Sequence, residues 1–250
     1  MSITNSISLH HHFEANESGR DFFVGDIHGQ YSILDSILRK VNFKREKDRI
    51  FAVGDLTDRG RESYKCLMLT KEKWFYSVLG NHENFILSID ENDYLQRKIW
   101  NKNGGSWWWK LNETDKVTAQ KTILENFSLS ISVDTEIGRI GLIHAQYPFN
   151  SWPLEKHTLD KSSLQKIIWG REDIIGNEAI EIDNIEYVIC GHTPLLNPKI
   201  IHNKIYIDTG CGYEPSIQIP NPRLTICEFV NGKIIAHCQS KREYSSYELK

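Results

Sequence analysis

The chain has 250 residues, of which 40% are hydrophobic and 25% charged, and its formal net charge is −3. That balance suits one domain with a sizeable core, expected to span 1–250, and excludes the basic footprint of a nucleic-acid binder or of an anionic-membrane binder. No apolar run approaches the roughly 20 residues of a membrane span, no basic-then-apolar leader is seen, and five cysteines without a C-x-x-C pair (Cys66, Cys190, Cys211, Cys227, Cys238) predict free thiols in a reducing, cytoplasmic setting.

The run His10-His11-His12 comes before any other signal and reads as a mobile or edge segment. Phe22-Phe23-Val24 is a short apolar run that stops at Gly25-Asp26. Ile33, Leu34, Ile37, Leu38 and Val41 then share one face of a predicted helix. Ile50 to Val53 is the next run, ending at Gly54-Asp55, and a second helix is expected over Glu62 to Leu69. Phe75 to Leu79 is a third strand, ending at Gly80-Asn81. This β-α-β-α-β order implies a parallel sheet covered by helices. Ligands of such sheets bind beyond the carboxyl ends of the strands, where Asp26, Asp55 and Asn81 fall.

Residues 91–128 are polar and helix-leaning, broken by Asn103-Gly104-Gly105 and Trp107-Trp108-Trp109. They read as a small helical cap inserted into the sheet. The three tryptophans are expected to pack core and cap, with one indole lining the cleft. Strands return at Leu129 to Val133 and Arg139 to Ile143, the latter delivering His144. A helix near Ser163 to Trp169 follows, and Tyr187 to Cys190 delivers Gly191-His192. Ile200 to Asp208 is expected to turn at Asn203-Lys204, and Leu224 to Cys238 at Asn231-Gly232. The polar tail from Lys241 is expected to fray.

Five short blocks carry the chemistry: Gly25-Asp26-Ile27-His28-Gly29, Gly54-Asp55-Leu56-Thr57-Asp58-Arg59-Gly60, Gly80-Asn81-His82-Glu83, His144-Ala145 and Gly191-His192-Thr193. Asp26 and His28, two apart on an extended segment, can reach one cation. Asp55 has two oxygens that can bridge two cations, and Asn81, His144 and His192 can complete a second site. A mixed O/N set without thiolate suits Mn, Fe or Zn. Two such ions about 3.5–4 Å apart clamp an in-line displacement and supply hydroxide at neutral pH. Arg59 is a candidate phosphate clamp. His82, beside a ligand but not needed as one, is the candidate general acid, with Asp58 to orient it. Arg171 carries no metal logic of its own and, judged alone, is a surface salt-bridge residue.

At these blocks the sequence resembles the calcineurin-like metallophosphoesterases and, within them, the serine/threonine phosphoprotein phosphatases of the phage lambda-like and bacterial branch. The likeness runs from about Phe22 to Phe229. It includes Trp74-Phe75, Asn103-Gly104-Gly105, His144-Ala145-Gln146-Tyr147-Pro148-Phe149, Ile168-Trp169-Gly170-Arg171-Glu172 and Tyr206-Ile207-Asp208-Thr209-Gly210. The resemblance implies a β-sandwich flanked by helices. It implies one metal held by Asp26, His28 and Asp55, and a second by the bridging Asp55 with Asn81, His144 and His192. It implies His82 as acid with Asp58, and Arg59 and Arg171 on the phosphoryl oxygens, which reverses the reading of Arg171 taken alone. Mn²⁺ is the implied ion, phosphorylated proteins or peptides are the implied substrates, and neither nucleic acid nor membrane is an expected partner. Gln146, Ser106 and Gly170 depart from the branch pattern and bear on substrate preference. The related dinucleoside tetraphosphate hydrolases tend to lack an acid at the position of Asp58 and to have Asp where Glu83 stands. A dinucleoside polyphosphate or cyclic-nucleotide hydrolase using the same site is the alternative activity. A non-catalytic scaffold would be expected to have lost the acid or a ligand.

Overall fold

Apolar runs and amphipathic helices alternate through the first hundred residues, and each run becomes a strand. The computed structural model describes residues 7–176 and 178–250. It begins with β1 (Ser8–Phe13), β2 (Asp21–Val24), α1 (Tyr31–Lys40), β3 (Arg49–Ala52), α2 (Ser63–Met68) and β4 (Phe75–Val78). β2, β3 and β4 lie side by side in parallel, as the β-α-β-α-β pattern predicts. α1 buries Leu34, Ile37 and Leu38 on the expected face, each contributing about 1.5–3 kcal/mol relative to exposure. Arg39 and Lys40 in its last turn complement the negative end of the helix dipole.

The inserted helical layer follows: α3 (Asn81–Ser88), α4 (Tyr94–Lys102), a 3₁₀ segment at Gly105–Lys110 and α5 (Glu113–Asn126). Asp93 caps α4, accepting from the Leu95 and Gln96 N–H groups at 2.8 and 3.1 Å, and Asn112 caps α5. β5 (Phe127–Thr135) starts beside the end of β4, and β6 (Gly138–Ile143) returns antiparallel to it, placing Ile143 opposite Ser130. The carboxyl end of β6 therefore reaches the same edge as that of β4. Next come α6 (Lys161–Trp169), α7 (Glu172–Ile175), β7 (Tyr187–Cys190), β8 (Lys199–Ile201), β9 (Lys204–Tyr206), β10 (Leu224–Val230), β11 (Lys233–Gln239) and β12 (Tyr244–Leu249). β7 runs parallel to both β6 and β9.

Hydrogen bonding continues without a break through β12-β11-β10-β2-β3-β4-β5-β6-β7-β9-β8, with β1 beside β5. This sheet folds over its own inner face: Tyr187 of β7 stacks on Phe229 of β10 at 6.2 Å, although several strands separate them in the sheet. The inner core contains Phe23, Phe51, Val53, Leu142, Ile189 and Ile205. A second core, with Leu34, Ile37, Trp100, Ile123 and Ile167, lies between the outer faces and the helices. The expected helix-flanked sandwich is thus one mixed sheet folded over on itself, open at β12 and β8.

Two expectations are corrected. The β8–β9 turn is His202-Asn203, one residue earlier than expected, because Ile201 pairs with Lys204. Lys204 cannot sit in the turn: it is fully buried and its Nζ donates to Asp173 Oδ2 at 2.5 Å. Nor does the tail fray, since β12 pairs along β11 from Tyr244 opposite Gln239 to Leu249 opposite Ile234. Its side chains are mostly exposed, so backbone pairing holds it and apolar periodicity does not mark it. The turn Asn231-Gly232 stands as expected, with φ of 52° and 72° as a type I′ hairpin requires. β1 makes the histidine run an edge strand, parallel to β5, and all five cysteines are free and buried. Among the described residues no helix is long and apolar enough to cross a membrane.

Candidate metal centre and active site

Each candidate donor follows a strand. Asp26, Asp55 and Asn81 follow β2, β3 and β4, and His144 and His192 follow β6 and β7. All five strands end at one edge, so residues more than a hundred positions apart meet there, and all are buried. His28, Asp55, Asp58, Arg59 and His192 take left-handed backbone with φ between 46° and 71°. Non-glycine residues in that region cost roughly 1–3 kcal/mol each and persist where the surroundings over-determine them. Two glycines make the crowding possible. A Cβ on Gly191 would overlap the Asp26 carboxylate, and one on Gly80 would overlap Asp55.

Asn81 Oδ1 lies 2.8 Å from His192 Nδ1 and 3.0 Å from His144 Nε2, and Asp55 Oδ1 is 3.5 Å from the same His144 nitrogen. His144 Nδ1 is 2.7 Å from the Val53 carbonyl, which can only accept. Nδ1 therefore carries the proton, and Nε2 turns a lone pair toward Asn81 Oδ1, itself an acceptor. A bound cation would relieve that repulsion, with His144 and Asn81 available to hold it. His28 repeats the device: Nδ1 donates to the Thr57 carbonyl at 2.9 Å, leaving Nε2 to face Asp55 Oδ2 at 3.8 Å. Fixing the tautomer through the far nitrogen is typical of histidine ligands. Two clusters have ligating atoms within 4.8 Å of one another, His28–Asp55–His82 and Asp55–His144–His192, and they share Asp55. Among the described residues neither cluster contains Asp26, whose carboxylate accepts from the His192 N–H at 3.1 and 3.2 Å.

The electrostatics agree with cation binding. Burial works to raise the Asp55 carboxyl, but His144, His82, His28 and His192 outweigh it and hold that group well below the usual carboxylate range. Burial lowers His28, His144 and His192, the last to about 3, so these imidazoles are neutral and can ligate. Burial raises Asp26 well above its ordinary value, helped by the charges of Asp208 and Asp55. Burial likewise raises Asp208 to about 6 and Glu83 to about 7. Four carboxyl groups buried together with neutral imidazoles make a donor set that fits divalent cations.

His82 differs from the other histidines. Its Nδ1 is 2.6 Å from Asp58 Oδ2 and its Nε2 is 3.8 Å from Asp55 Oδ2. Burial alone would lower it, yet Asp55 and the bonded Asp58 outweigh burial and raise it above the ordinary imidazole value. The two arginines flank the donors. Arg59 bears on His28 and His82, and Arg171 on His144 and His192. Both also bear on Asp208. Arg59 stacks 3.8 Å over the ring of Tyr213, and its Nε is buried without a protein partner.

Nine of the ten predicted site residues thus gather at this edge, and the charge of Arg171 acts on His144, His192 and Asp208. Sequence reasoning assigned no role to four further contributors. Glu83 accepts from the Asp55 N–H at 2.8 Å and from the N–H and Oγ1 of Thr57 at 3.1 and 3.0 Å, holding the Asp55 loop. Asp208, at a strand end like the ligands, keeps one buried oxygen without a protein partner. Trp100 and Trp107 both donate to Asp58.

A helix-flanked sandwich with carboxylates and imidazoles converging at its strand ends describes a metal-dependent phosphoesterase. Residues 22–196 match the calcineurin-like phosphoesterase family, and the chain belongs to it. It is 32% identical over 204 residues to serine/threonine-protein phosphatase 1 of Salmonella typhimurium, covering 81% of this chain and 91% of that protein. It is 25% identical over 206 residues to the asymmetrical bis(5'-nucleosyl)-tetraphosphatase PrpE of Oceanobacillus iheyensis, covering 75% of this chain and 82% of that one. In fold it is similar to the crystal structure of a protein provisionally described as a diadenosine tetraphosphatase, with a TM-score of 0.64 and 21% identity over 94% of this chain and 99% of that one.

Proposed function

We propose that the protein is a dimetal phosphomonoesterase that removes phosphate from phosphoserine and phosphothreonine in proteins or peptides, with activity on phosphotyrosine and small aryl phosphates as well. Asp26, His28 and Asp55 would hold one ion, and Asp55, Asn81, His144 and His192 the other, with Mn²⁺ as the ion expected to activate. When bound, the pair would neutralise phosphoryl charge and supply a nucleophilic water at neutral pH. Arg59 and Arg171 would bind the phosphoryl oxygens, and His82 would give its Nε2 proton to the leaving oxygen.

The observation that carries the substrate class is the His82–Asp58 contact at 2.6 Å. Serine and threonine alkoxides are poor leaving groups and need a proton as the P–O bond breaks. A polyphosphate leaving group is far less basic and needs an acid much less, so an intact acid pair suits alkyl phosphates. The 32% identity to a serine/threonine-protein phosphatase supports the same assignment. The relative that is a tetraphosphatase favours a second reading, in which the same site cleaves dinucleoside polyphosphates. Measured under identical Mn²⁺ and salt, kcat/KM on phosphoserine or phosphothreonine peptides is expected to exceed that on diadenosine tetraphosphate. The reverse ranking by tenfold, about 1.4 kcal/mol of transition-state preference, would favour the second reading.

A further inference from the structure

We propose that the inserted helical layer takes part in proton delivery, with Trp107 and Trp100 acting as positioning residues that hold Asp58, and through it His82, in register with the leaving oxygen. This rests on the reading of His82 as the general acid. Asp58 is fully buried, and both of its oxygens are engaged. Oδ2 accepts from His82 Nδ1 at 2.6 Å and from Trp100 Nε1 at 2.7 Å, while Oδ1 accepts from Trp107 Nε1 at 2.6 Å. An indole N–H can only donate, so these contacts are made to the carboxylate as an acceptor. Short bonds to a charged oxygen are the strong, directional kind. Three of them, from three directions, fix the plane of the carboxylate and so the ring it orients.

The layer is anchored to the same segment at further points. The Arg59 N–H donates to the Gly104 carbonyl at 3.1 Å. Gly104 has φ of 97°, and a Cβ there would overlap the Arg59 backbone, so only glycine allows this approach. Asp58 and Arg59 are themselves in left-handed backbone, which the docked layer helps to impose. Trp100 stacks on Phe85 at 6.2 Å, and Phe85 stands edge-on to His82 at 6.1 Å, making an apolar wall behind the acid. The other two indoles of the tryptophan run pack against Trp100, at 5.5 and 5.7 Å, and direct their N–H groups into the layer. Trp108 Nε1 donates to Glu91 at 2.8 Å and Trp109 Nε1 to Asn101 at 2.6 Å. The run therefore divides by function: Trp107, with Trp100 from α4, serves Asp58, whereas Trp108 and Trp109 hold the layer together.

Trp107→Phe keeps a ring of similar shape and deletes the donor. The test compares kcat for this variant across phosphomonoesters from 4-nitrophenyl phosphate to a phosphoserine peptide, with Trp109→Phe as control. Trp107→Phe is expected to lose about tenfold or more on the phosphoserine peptide and less than about threefold on 4-nitrophenyl phosphate, since good leaving groups need little protonation. KM and metal content should stay near wild type, and Trp109→Phe should follow wild type throughout. Independently of turnover, the indole N–H resonances of Trp100 and Trp107 should move on Asp58→Asn while that of Trp109 does not. An equal loss across all leaving groups, or indole resonances indifferent to Asp58→Asn, would overturn the proposal. His82→Asn is run in parallel. If it shows no leaving-group dependence, the acid assignment itself fails. If it does and Trp107→Phe does not, only the positioning role fails.

Discussion

His82→Asn is expected to lower kcat on a phosphoserine peptide by about 10²–10⁴-fold, the usual contribution of a general acid, while both ions remain bound. In the proposed scheme His82 is the acid and not a ligand, because its Nδ1 is paired with the Asp58 carboxylate at 2.6 Å where His28 and His144 meet neutral backbone carbonyls, and its Nε2 faces the reacting centre. The pairing with Asp55 and Asp58 outweighs burial and keeps the ring protonated above the ordinary imidazole value. The protonated form therefore persists to higher pH than in a free imidazole and is lost as pH rises through the raised value. Asparagine cannot supply a proton but preserves much of the volume. Stopped-flow or steady-state rates on esters of graded leaving-group basicity, with metal content measured on the same samples, check the outcome. An equal loss from 4-nitrophenyl phosphate to phosphoserine would contradict the acid role.

Asp55→Asn is expected to be the most damaging single change among the ligands, costing about 10³-fold or more, several kcal/mol of transition-state charge stabilisation. Both carboxylate oxygens are used: Oδ1 lies 3.5 Å from His144 Nε2, and Oδ2 lies 3.8 Å from both His28 and His82. Oδ1 also accepts from the His82 N–H at 3.0 Å, in the first turn of α3, where the helix dipole favours an anion. The amide replacement removes the negative charge that lies between the two clusters and presents one oxygen in place of two. Metal analysis of Asp55→Asn should show weakened binding of both ions. Two tightly held ions in that variant would show that Asp55 does not bridge.

The proposed ligand positions Asp26, Asp55 and Asn81 were legible because each lies where an apolar run meets a glycine and a polar donor, and a parallel sheet brings such places to one edge. His144 and His192 needed more. Their strands join the edge only because β5 starts beside the end of β4 and β6 returns antiparallel, a register that no local pattern encodes. Arg171, taken alone, read as a surface residue, and only the family resemblance assigned it to the site; its charge acts on His144 and His192. The bonds from Trp100 and Trp107 to Asp58 span 42 and 49 positions. Local periodicity carries no trace of contacts at that range, so the tryptophan run read as packing with one indole lining the cleft, and neither that indole nor its partner could be named. Lys204 was misplaced in a turn because a lysine is seldom buried. Its partner Asp173, whose Oδ2 also accepts from the Tyr206 hydroxyl, is set by tertiary structure. β12 was missed because its stability comes from backbone pairing, and its sequence has no apolar alternation.

Two ions at one shared carboxylate are the centre of the account, and metal counting against turnover tests it most directly. The purified chain is stripped with a chelator, titrated with Mn²⁺, and followed for bound metal and for hydrolysis of a phosphoserine peptide. The account predicts negligible turnover in the stripped protein and recovery that becomes complete only as bound metal approaches two per chain. Full turnover in exhaustively stripped protein, or saturation of both binding and rate at one ion per chain, would contradict it.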